Sequence, residues 1–173
     1  MSSAQLLAAK KPEILKRWFQ ATVDSYPAET ARFLKNQNDP FANPVGQTTH
    51  ESLDALIDAL GAGAGRDVMA NALDPVIRIR AVQSFSPSQA TRFVFSLKQI
   101  VRQLLPEGDR AARADMNELD RRIDEMALAA FDIYVACREK IFELKASESR
   151  NQFFGSLKRA GLIVETEADG PGF

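Results

Sequence analysis

The chain has 173 residues, of which 45% are hydrophobic, so it can form one domain of ordinary size with a sizeable core. Its 22 basic and 23 acidic side chains nearly cancel, and no segment concentrates one sign of charge, so we expect no nucleic-acid partner. The single cysteine, Cys137, excludes an intramolecular disulfide framework and suits a reducing compartment. The N-terminal residues lack the pattern of a signal peptide, and no uncharged apolar segment reaches the length of a membrane span. We therefore expect a cytoplasmic protein.

Half of the eight prolines stand where a helix would begin, a position that suits proline because its φ is already fixed at the helical value. Four prolines fit this pattern: Pro12, Pro27, Pro75 and Pro87. The sequence therefore predicts a short helix around Leu6, a second helix after Pro12, a brief third helix after Pro27, and two further helices that meet at Asp74 and Pro75.

Residues 36–46 contain two prolines, each preceded by Asp or Asn, and a glycine, a composition that favours turns. The sequence therefore predicts its longest internal loop here. Thr48 and Glu51 match a capping box, which would begin the next helix, and Gly61 would end it. The glycines that follow lack the preceding strand and the spacing of a nucleotide-binding fingerprint, so we assign them no ligand.

The run Ser86-Pro87-Ser88-Gln89 combines an N-cap, a proline at the first helical position and a capping glutamine, which predicts the start of a core helix that ends at Pro106 to Gly108. From residue 109 to about residue 147 there is neither proline nor glycine, which predicts one helix roughly 58 Å long. We therefore predict an all-α protein, with a helical domain over residues 1–147. A short helical extension and a flexible tail would form residues 148–173.

Within the long helix, apolar residues recur at alternating intervals of three and four, which is a 3.5-residue period. Such a seam keeps facing the same partner helix when two helices wind around each other. Lys140 alone interrupts it. We predict that the seam forms a homodimer interface, through Met116, Leu119, Ile123, Met126, Ala130, Ile133, Cys137 and Leu144.

The same helix carries a second apolar face, formed by Leu128, Phe131, Val135 and Phe142. Two apolar faces need two sets of neighbours. The economical arrangement packs one face on the protein's own core and the other on a second copy. The alternative is a single-chain bundle that buries both faces.

The candidate cofactor and redox residues are His50 and Cys137. His50 is the only histidine, and it shares a helical stripe with Leu53, Ile57 and Leu60. We expect a partly exposed residue at the edge of the core, and a haem ligand facing a cofactor pocket is the alternative. No second histidine completes a metal site, and we predict no metal and no cofactor. The place of Cys137 on the seam favours a packed side chain over a reactive thiolate. No nucleophile has a histidine base near it, which predicts no catalytic residue and no enzyme.

Five runs of the sequence carry a family resemblance. They are Ile14-Leu-Lys-Arg-Trp18, Asn43-Pro-Val-Gly46, Asp74-Pro-Val-Ile-Arg-Ile-Arg-Ala-Val-Gln83, Phe85-Ser-Pro-Ser-Gln-Ala90 and Phe95-Ser-Leu-Lys98. Together they resemble the N-terminal domain of the RsbT co-antagonist family, the RsbRD type. The resemblance covers residues 5–145.

The resemblance implies a helical, globin-like sensory domain without haem, often dimeric, whose last helix continues into a C-terminal STAS domain. In that family the input domain modulates a stressosome, which controls a kinase and, downstream, a stress sigma factor. No STAS pattern follows Leu144 in this sequence, so we expect a stand-alone version. Stand-alone versions resemble proteins encoded near sulfur-metabolism genes, which implies, as a further alternative, an accessory role in sulfur or redox metabolism.

Four residues of these runs are our candidates for binding a ligand or a partner: Trp18, Asn43, Arg80 and Lys98. Asn43 would also shape a turn. Arg80 would pair with a helix C-terminus or with a carboxylate. Lys98 would extend its ammonium group into solvent or pair with a ligand carboxylate. The sequence thus predicts a non-enzymatic regulatory or sensory module of a bacterial signalling system, which dimerises and binds a protein partner or a small ligand.

Overall fold

The computed structural model describes residues 2–83, 85–104 and 110–162, with side chains for all of these except residues 110–114. The described residues form six helices and no strand. The helices are α1 (Ser3–Val23), α2 (Ala28–Asn36), α3 (Pro44–Gly61), α4 (Arg66–Val82), α5 (Pro87–Gln103) and α6 (Arg110–Arg159). The predicted all-α class and the long C-terminal helix are confirmed, and the globin-like arrangement stays a prediction.

Two of the prolines lie inside helices rather than at their starts. Pro12 lies within α1 and Pro75 within α4, so the prediction of separate helices at these positions was wrong. Both prolines are exposed, so water can satisfy the carbonyl groups that they leave without an N–H donor. The apolar residues on either side of each proline share one buried face, and their packing offsets the cost of a proline in a helix, about 3 kcal/mol.

The helix starts combine one confirmed prediction with one correction. The Ser86 hydroxyl accepts a hydrogen bond from the Gln89 N–H, and the Gln89 side chain accepts one from the Ser86 N–H, so the predicted capping box of α5 is present. The capping box predicted at Thr48 and Glu51 is wrong, because α3 begins five residues earlier than predicted, with Asn43 rather than Thr48 as its N-cap.

The core lies where α1, α3, α4, α5 and α6 meet. α3 packs against α1 and α4, and α5 packs against α1. The largest fully buried side chains are Trp18, Arg80, Leu6, Leu7, Ile14, Leu53, Leu56, Ile57, Leu60, Leu73, Ile77 and Leu97. All of them but Arg80 are apolar, so Arg80 is the one charged side chain in this set.

The chain divides into two compact units, residues 1–137 and residues 138–173. The first unit contains the core. In the second unit, α6 continues to Arg159, beyond the predicted end near residue 147, and five large apolar side chains are exposed there: Phe142, Leu144, Phe153, Phe154 and Leu162. α5 ends at Gln103, whereas the predicted stop at residues 106–108 and the predicted tail at residues 165–173 lie outside the described residues. Neither α6 nor any other described helix carries an apolar run sufficient to cross a membrane.

Candidate functional site

Arg80 lies fully buried between α1, α4 and α5, surrounded by aromatic rings. The central carbon of its guanidinium lies 5.3 Å from the ring centroid of Tyr26, 4.8 Å from that of Phe85 and 5.1 Å from that of Phe93. Aromatic faces attract a cation at such distances, and more strongly when water is excluded. The three rings therefore stabilise a charge that burial would otherwise destabilise.

The hydrogen bonds of Arg80 lead mainly to the C-terminal end of α1. Its Nη2 donates to the carbonyl of Thr22 at 2.9 Å and to the Ser25 hydroxyl at 2.8 Å, and its Nη1 donates to the carbonyl of Gln89 at 3.2 Å. Because Thr22 lies in the last turn of α1, the cation lies at the negative end of that helix dipole. The sequence predicted that Arg80 pairs with either a helix C-terminus or a carboxylate, and the structure shows the helix C-terminus.

Within the described part of the chain, no carboxylate balances the charge of Arg80. Among the residues that the structure describes, none forms an ion pair with Arg80, and its Nε atom is buried without a hydrogen-bond partner. Burial lowers the pKa of Arg80, and the nearby Tyr26 opposes that effect. The same burial raises the pKa of the Tyr26 phenol, against the influence of Arg80. Among the described residues, this buried cation is held by aromatic rings, two backbone carbonyls and one serine hydroxyl.

Trp18 packs against one of these rings, that of Phe93. Its side chain is fully buried, its ring centroid lies 6.1 Å from that of Phe93, and its Nε1 donates to the carbonyl of Phe93 at 2.7 Å. Trp18 and Arg80 thus both hold Phe93 at the junction of α1 and α5. Of the four predicted binding residues, these two are brought together by the fold.

Asn43 ties the end of α2 to the start of α3. Its Nδ2 donates to the carbonyls of Leu34 at 3.1 Å and Gln37 at 2.9 Å, and its Oδ1 accepts from the N–H of Gly46 at 2.8 Å. A Cβ on Gly46 would lie 2.2 Å from the Asn43 side chain, so only glycine fits beside it. The predicted turn-shaping role is therefore visible, and the side chain is occupied with backbone groups.

Replacing Asn43 with alanine should lower the free energy of unfolding by about 2–3 kcal/mol, because it removes an N-cap and leaves two carbonyls without their donor. Urea unfolding followed by circular dichroism would measure the change. Asn38 is an exposed asparagine in the same loop, so Asn38→Ala should change stability by less than about 0.5 kcal/mol. Equal effects of the two substitutions would contradict the role assigned to Asn43.

His50 is exposed, whereas the haem alternative needs it to face a cofactor pocket. The buried face of α3 is centred on Thr49, Leu53 and Leu56, which places His50 at its edge. Its ring contacts Phe19 edge-on at a centroid distance of 5.8 Å, beside a surface cavity of about 310 Å³. Among the described residues, no group of three or more His, Cys, Asp or Glu side chains could hold a metal ion.

Lys98 pairs with a carboxylate of its own chain. Its Nζ lies 2.6 Å from Asp124 Oδ1 of α6, and one turn away Arg102 pairs with Asp120. We predicted that the ammonium group lies in solvent or binds a ligand carboxylate, and in the structure it pairs instead with Asp124. The two ion pairs also establish that α5 and α6 run antiparallel and set the register between them.

The predicted dimer seam packs mainly within the chain. Met116, Leu119, Ile123, Met126 and Ala130 are buried in the core, and Ile133 and Cys137 are partly buried against it. In the second unit, Leu144 is exposed. A 3.5-residue period shows that a helix needs a partner but does not distinguish a helix of the same chain from one of another chain. The seam residues up to Cys137 thus already have neighbours, which are not those of a second copy.

The second apolar face of α6 is largely exposed, with Val135 partly buried. Leu128 is 62% exposed and Phe131 46%, and Phe95 of α5 is 47% exposed. Phe95 precedes Lys98 by three residues and Leu128 follows Asp124 by four, so the antiparallel register places Phe95 and Leu128 at the same level of the two helices. We refer to Phe95, Leu128 and Phe131 as the α5–α6 patch.

Sequence reasoning missed most of the side chains around these sites. The rings of Tyr26, Phe85 and Phe93 come from separate segments, and no local pattern connects them. One signal was present, because Arg80 continues the apolar stripe of Leu73 and Ile77, a position that indicates a buried side chain.

Arg122 was missed as well. It donates to the carbonyls of Leu60 at 2.6 Å and Ala64 at 3.0 Å, and so caps the C-terminal end of α3. These residues line a cavity of about 760 Å³, whose charged side chains include the mutually paired Glu118, Arg121 and Glu125.

Comparison with known proteins gives two matches. The family model for the N-terminal domain of the RsbT co-antagonist protein RsbRD matches residues 12–149. A protein of Archaeoglobus fulgidus, described as an uncharacterized protein, is 32% identical over 101 residues, which make up 57% of this chain and 64% of that protein. The chain thus spans less than two thirds of the length of this relative, and no solved structure matches. Because the family model covers most of the chain, including the runs around Trp18, Asn43, Arg80 and Lys98, this protein belongs to the family of RsbT co-antagonist RsbRD N-terminal domains, a family of signalling domains.

Proposed function

We propose that this protein is a non-enzymatic sensory or regulatory module of a stressosome-like signalling system, acting in the cytoplasm. It works as a homodimer and binds a protein partner or a small ligand. Family membership supports the signalling role. The observation that carries the self-association is the α5–α6 patch, in which three large apolar side chains lie exposed at the boundary between two helices.

The α5–α6 patch has the character of an interface core with a charged rim. Burying a large apolar side chain completely contributes about 1.5–3 kcal/mol, so covering three half-exposed side chains is a substantial driving force. The ion pair between Lys98 and Asp124 borders the patch. Because a two-fold dimer presents the same surface on both subunits, the patch of one copy can pack against the patch of the next.

Substituting Leu128 or Phe131 with glutamate should convert the dimer into a monomer, because each change places a charge in an apolar interface. Sedimentation equilibrium would measure this, with the parent expected at twice the 19.1 kDa chain mass and the variants near the single mass. Both positions are exposed, so the circular dichroism spectrum should stay unchanged. Ile123 is unsuitable for this test because it is fully buried in the core.

Ala136 supplies the matched control, since it is exposed on another side of α6. Ala136→Glu adds the same charge to the same helix and should leave the dimer intact. A monomeric parent, or variants at Leu128 and Phe131 that remain dimeric, would show that this surface does not mediate self-association.

The structure gives little support to the two alternative functions, haem binding and an accessory role in sulfur or redox metabolism. The haem alternative needs His50 in a pocket, and His50 is exposed beside Phe19. The accessory role in sulfur or redox metabolism would be favoured by a reactive thiolate. Burial raises the pKa of the Cys137 thiol, an effect that nearby Arg78 opposes, so the neutral thiol is favoured.

A further inference from the structure

We propose that the groove between the C-terminal end of α1 and the first turns of α5 binds a small oxyanion, which is phosphate, sulfate or the phosphate group of a small molecule. The groove has a volume of about 600 Å³, the size of a small-molecule site. Its polar lining comprises Asp24, Ser25, Ser86, Ser88, Gln89, Arg92 and Ser96. We refer to it as the α1–α5 groove.

In the part of the chain that the structure describes, the charged side chains that line the α1–α5 groove include one unpaired positive charge. Arg92 is exposed and forms no ion pair among the described residues. Asp24 is the only carboxylate in the lining, and it is already paired with Lys35, whose Nζ lies 2.5 Å from its Oδ1. The guanidinium of Arg92 is therefore available to a ligand, and an arginine can bind a phosphate or sulfate through two parallel hydrogen bonds.

A second positive charge lies directly behind the wall of the groove. The Nη1 and Nη2 atoms of Arg80 donate to Gln89 and Ser25, and both of these residues line the groove. Arg80 is fully buried, has no carboxylate partner among the described residues and has an unpaired Nε. Charges interact more strongly across protein than across water, so an anion in the groove would balance a charge that the fold leaves uncompensated.

The hydroxyl groups complete the site. Ser25 and Ser96 donate to backbone carbonyls, of Thr22 at 2.6 Å and Phe93 at 2.6 Å. The hydroxyls of Ser86 and Ser88 lie 3.2 Å apart, and their mutual hydrogen bond uses only one of the two hydrogens. One hydroxyl hydrogen therefore remains for a ligand oxygen. The groove thus presents the guanidinium of Arg92, with that of Arg80 buried behind its wall, and the one carboxylate of its lining is already paired, so the groove favours a small anion.

This inference rests on the proposed sensory function in one respect: the bound anion would be the small ligand that the module senses. Binding is tested by isothermal titration calorimetry at constant ionic strength, with inorganic phosphate, sulfate and glycerol 3-phosphate as probes and chloride as the reference. Arg92→Gln should weaken binding about ten-fold or more, and Ser88→Ala a few-fold. Arg150→Gln makes the same change of charge at an exposed position in the second unit and should leave the affinity unchanged.

The titration distinguishes between the possible ligands and also tests whether the groove binds an anion. Tighter binding of the monoester would identify a phosphorylated small molecule as the ligand, and tighter binding of inorganic phosphate or sulfate would identify a free ion. The inference is overturned if no probe binds at concentrations up to about 10 mM, or if Arg92→Gln binds as tightly as the parent. Circular dichroism would establish that the variants are folded. Sedimentation is a separate measurement, so a failure of anion binding is distinguishable from a failure of dimerisation.

Discussion

Replacing Trp18 with alanine should lower the free energy of unfolding by about 3–5 kcal/mol, the range for truncating a large aromatic side chain in a core. Trp18 is fully buried, and its Nε1 donates to the carbonyl of Phe93. The substitution therefore opens a cavity between α1 and α5 and removes one of the hydrogen bonds that the Phe93 carbonyl accepts, leaving that from the Ser96 hydroxyl. Because Trp18 is the only tryptophan, urea unfolding should be followed by circular dichroism rather than by fluorescence.

Two further variants separate the causes of this effect. Trp18→Phe keeps an aromatic ring but loses the hydrogen bond, so its cost should be smaller than that of Trp18→Ala, about 1–3 kcal/mol. Val68→Ala removes an exposed apolar side chain and should change stability by less than about 0.5 kcal/mol. A loss below about 1 kcal/mol for Trp18→Ala would mean that the junction of α1 and α5 is not packed as described.

Replacing Arg80 with alanine should cost about 3–4 kcal/mol of stability. The change removes three hydrogen bonds at the end of α1 and at Gln89, and it empties the space between the rings of Tyr26, Phe85 and Phe93. Arg80→Lys keeps the charge but loses the planar group that reaches several acceptors at once, so an intermediate cost is expected. Urea unfolding at constant pH would rank the three proteins.

Arg78 provides the matched control for Arg80. It lies two residues earlier on α4, is exposed, and pairs with Asp74 one turn away at 2.6 Å. An exposed pair of this kind contributes little, so Arg78→Ala should cost less than about 0.5 kcal/mol. If Arg80→Ala and Arg78→Ala differ by less than about 1 kcal/mol, the buried guanidinium is not a major support of the core.

Only the tertiary structure decided which apolar face is buried and which partners the polar core residues meet. The two faces of α6 look alike in sequence, and the contacts with other helices bury the face of Ile123 and Met126 while leaving Leu128 and Phe131 exposed. Pro12 and Pro75 lie inside helices because the apolar residues around them pack into one core. Rules based on neighbouring residues do not include this packing energy. Likewise, Arg80 meets Thr22, Ser25 and Gln89 only after three helices have come together.

The sequence by itself determined the features that depend on neighbouring residues. The all-α class follows from apolar residues at helical spacing, and the start of α5 follows from Ser86 and Gln89, whose capping bonds join groups three residues apart. The length of α6 was underestimated, since the helix continues through Ser147 and Asn151 as far as Arg159. Caps and periodicity act over one or two turns, and they are therefore readable in the chain. Burial and charge compensation join residues that are distant in the chain, so only the fold determines them.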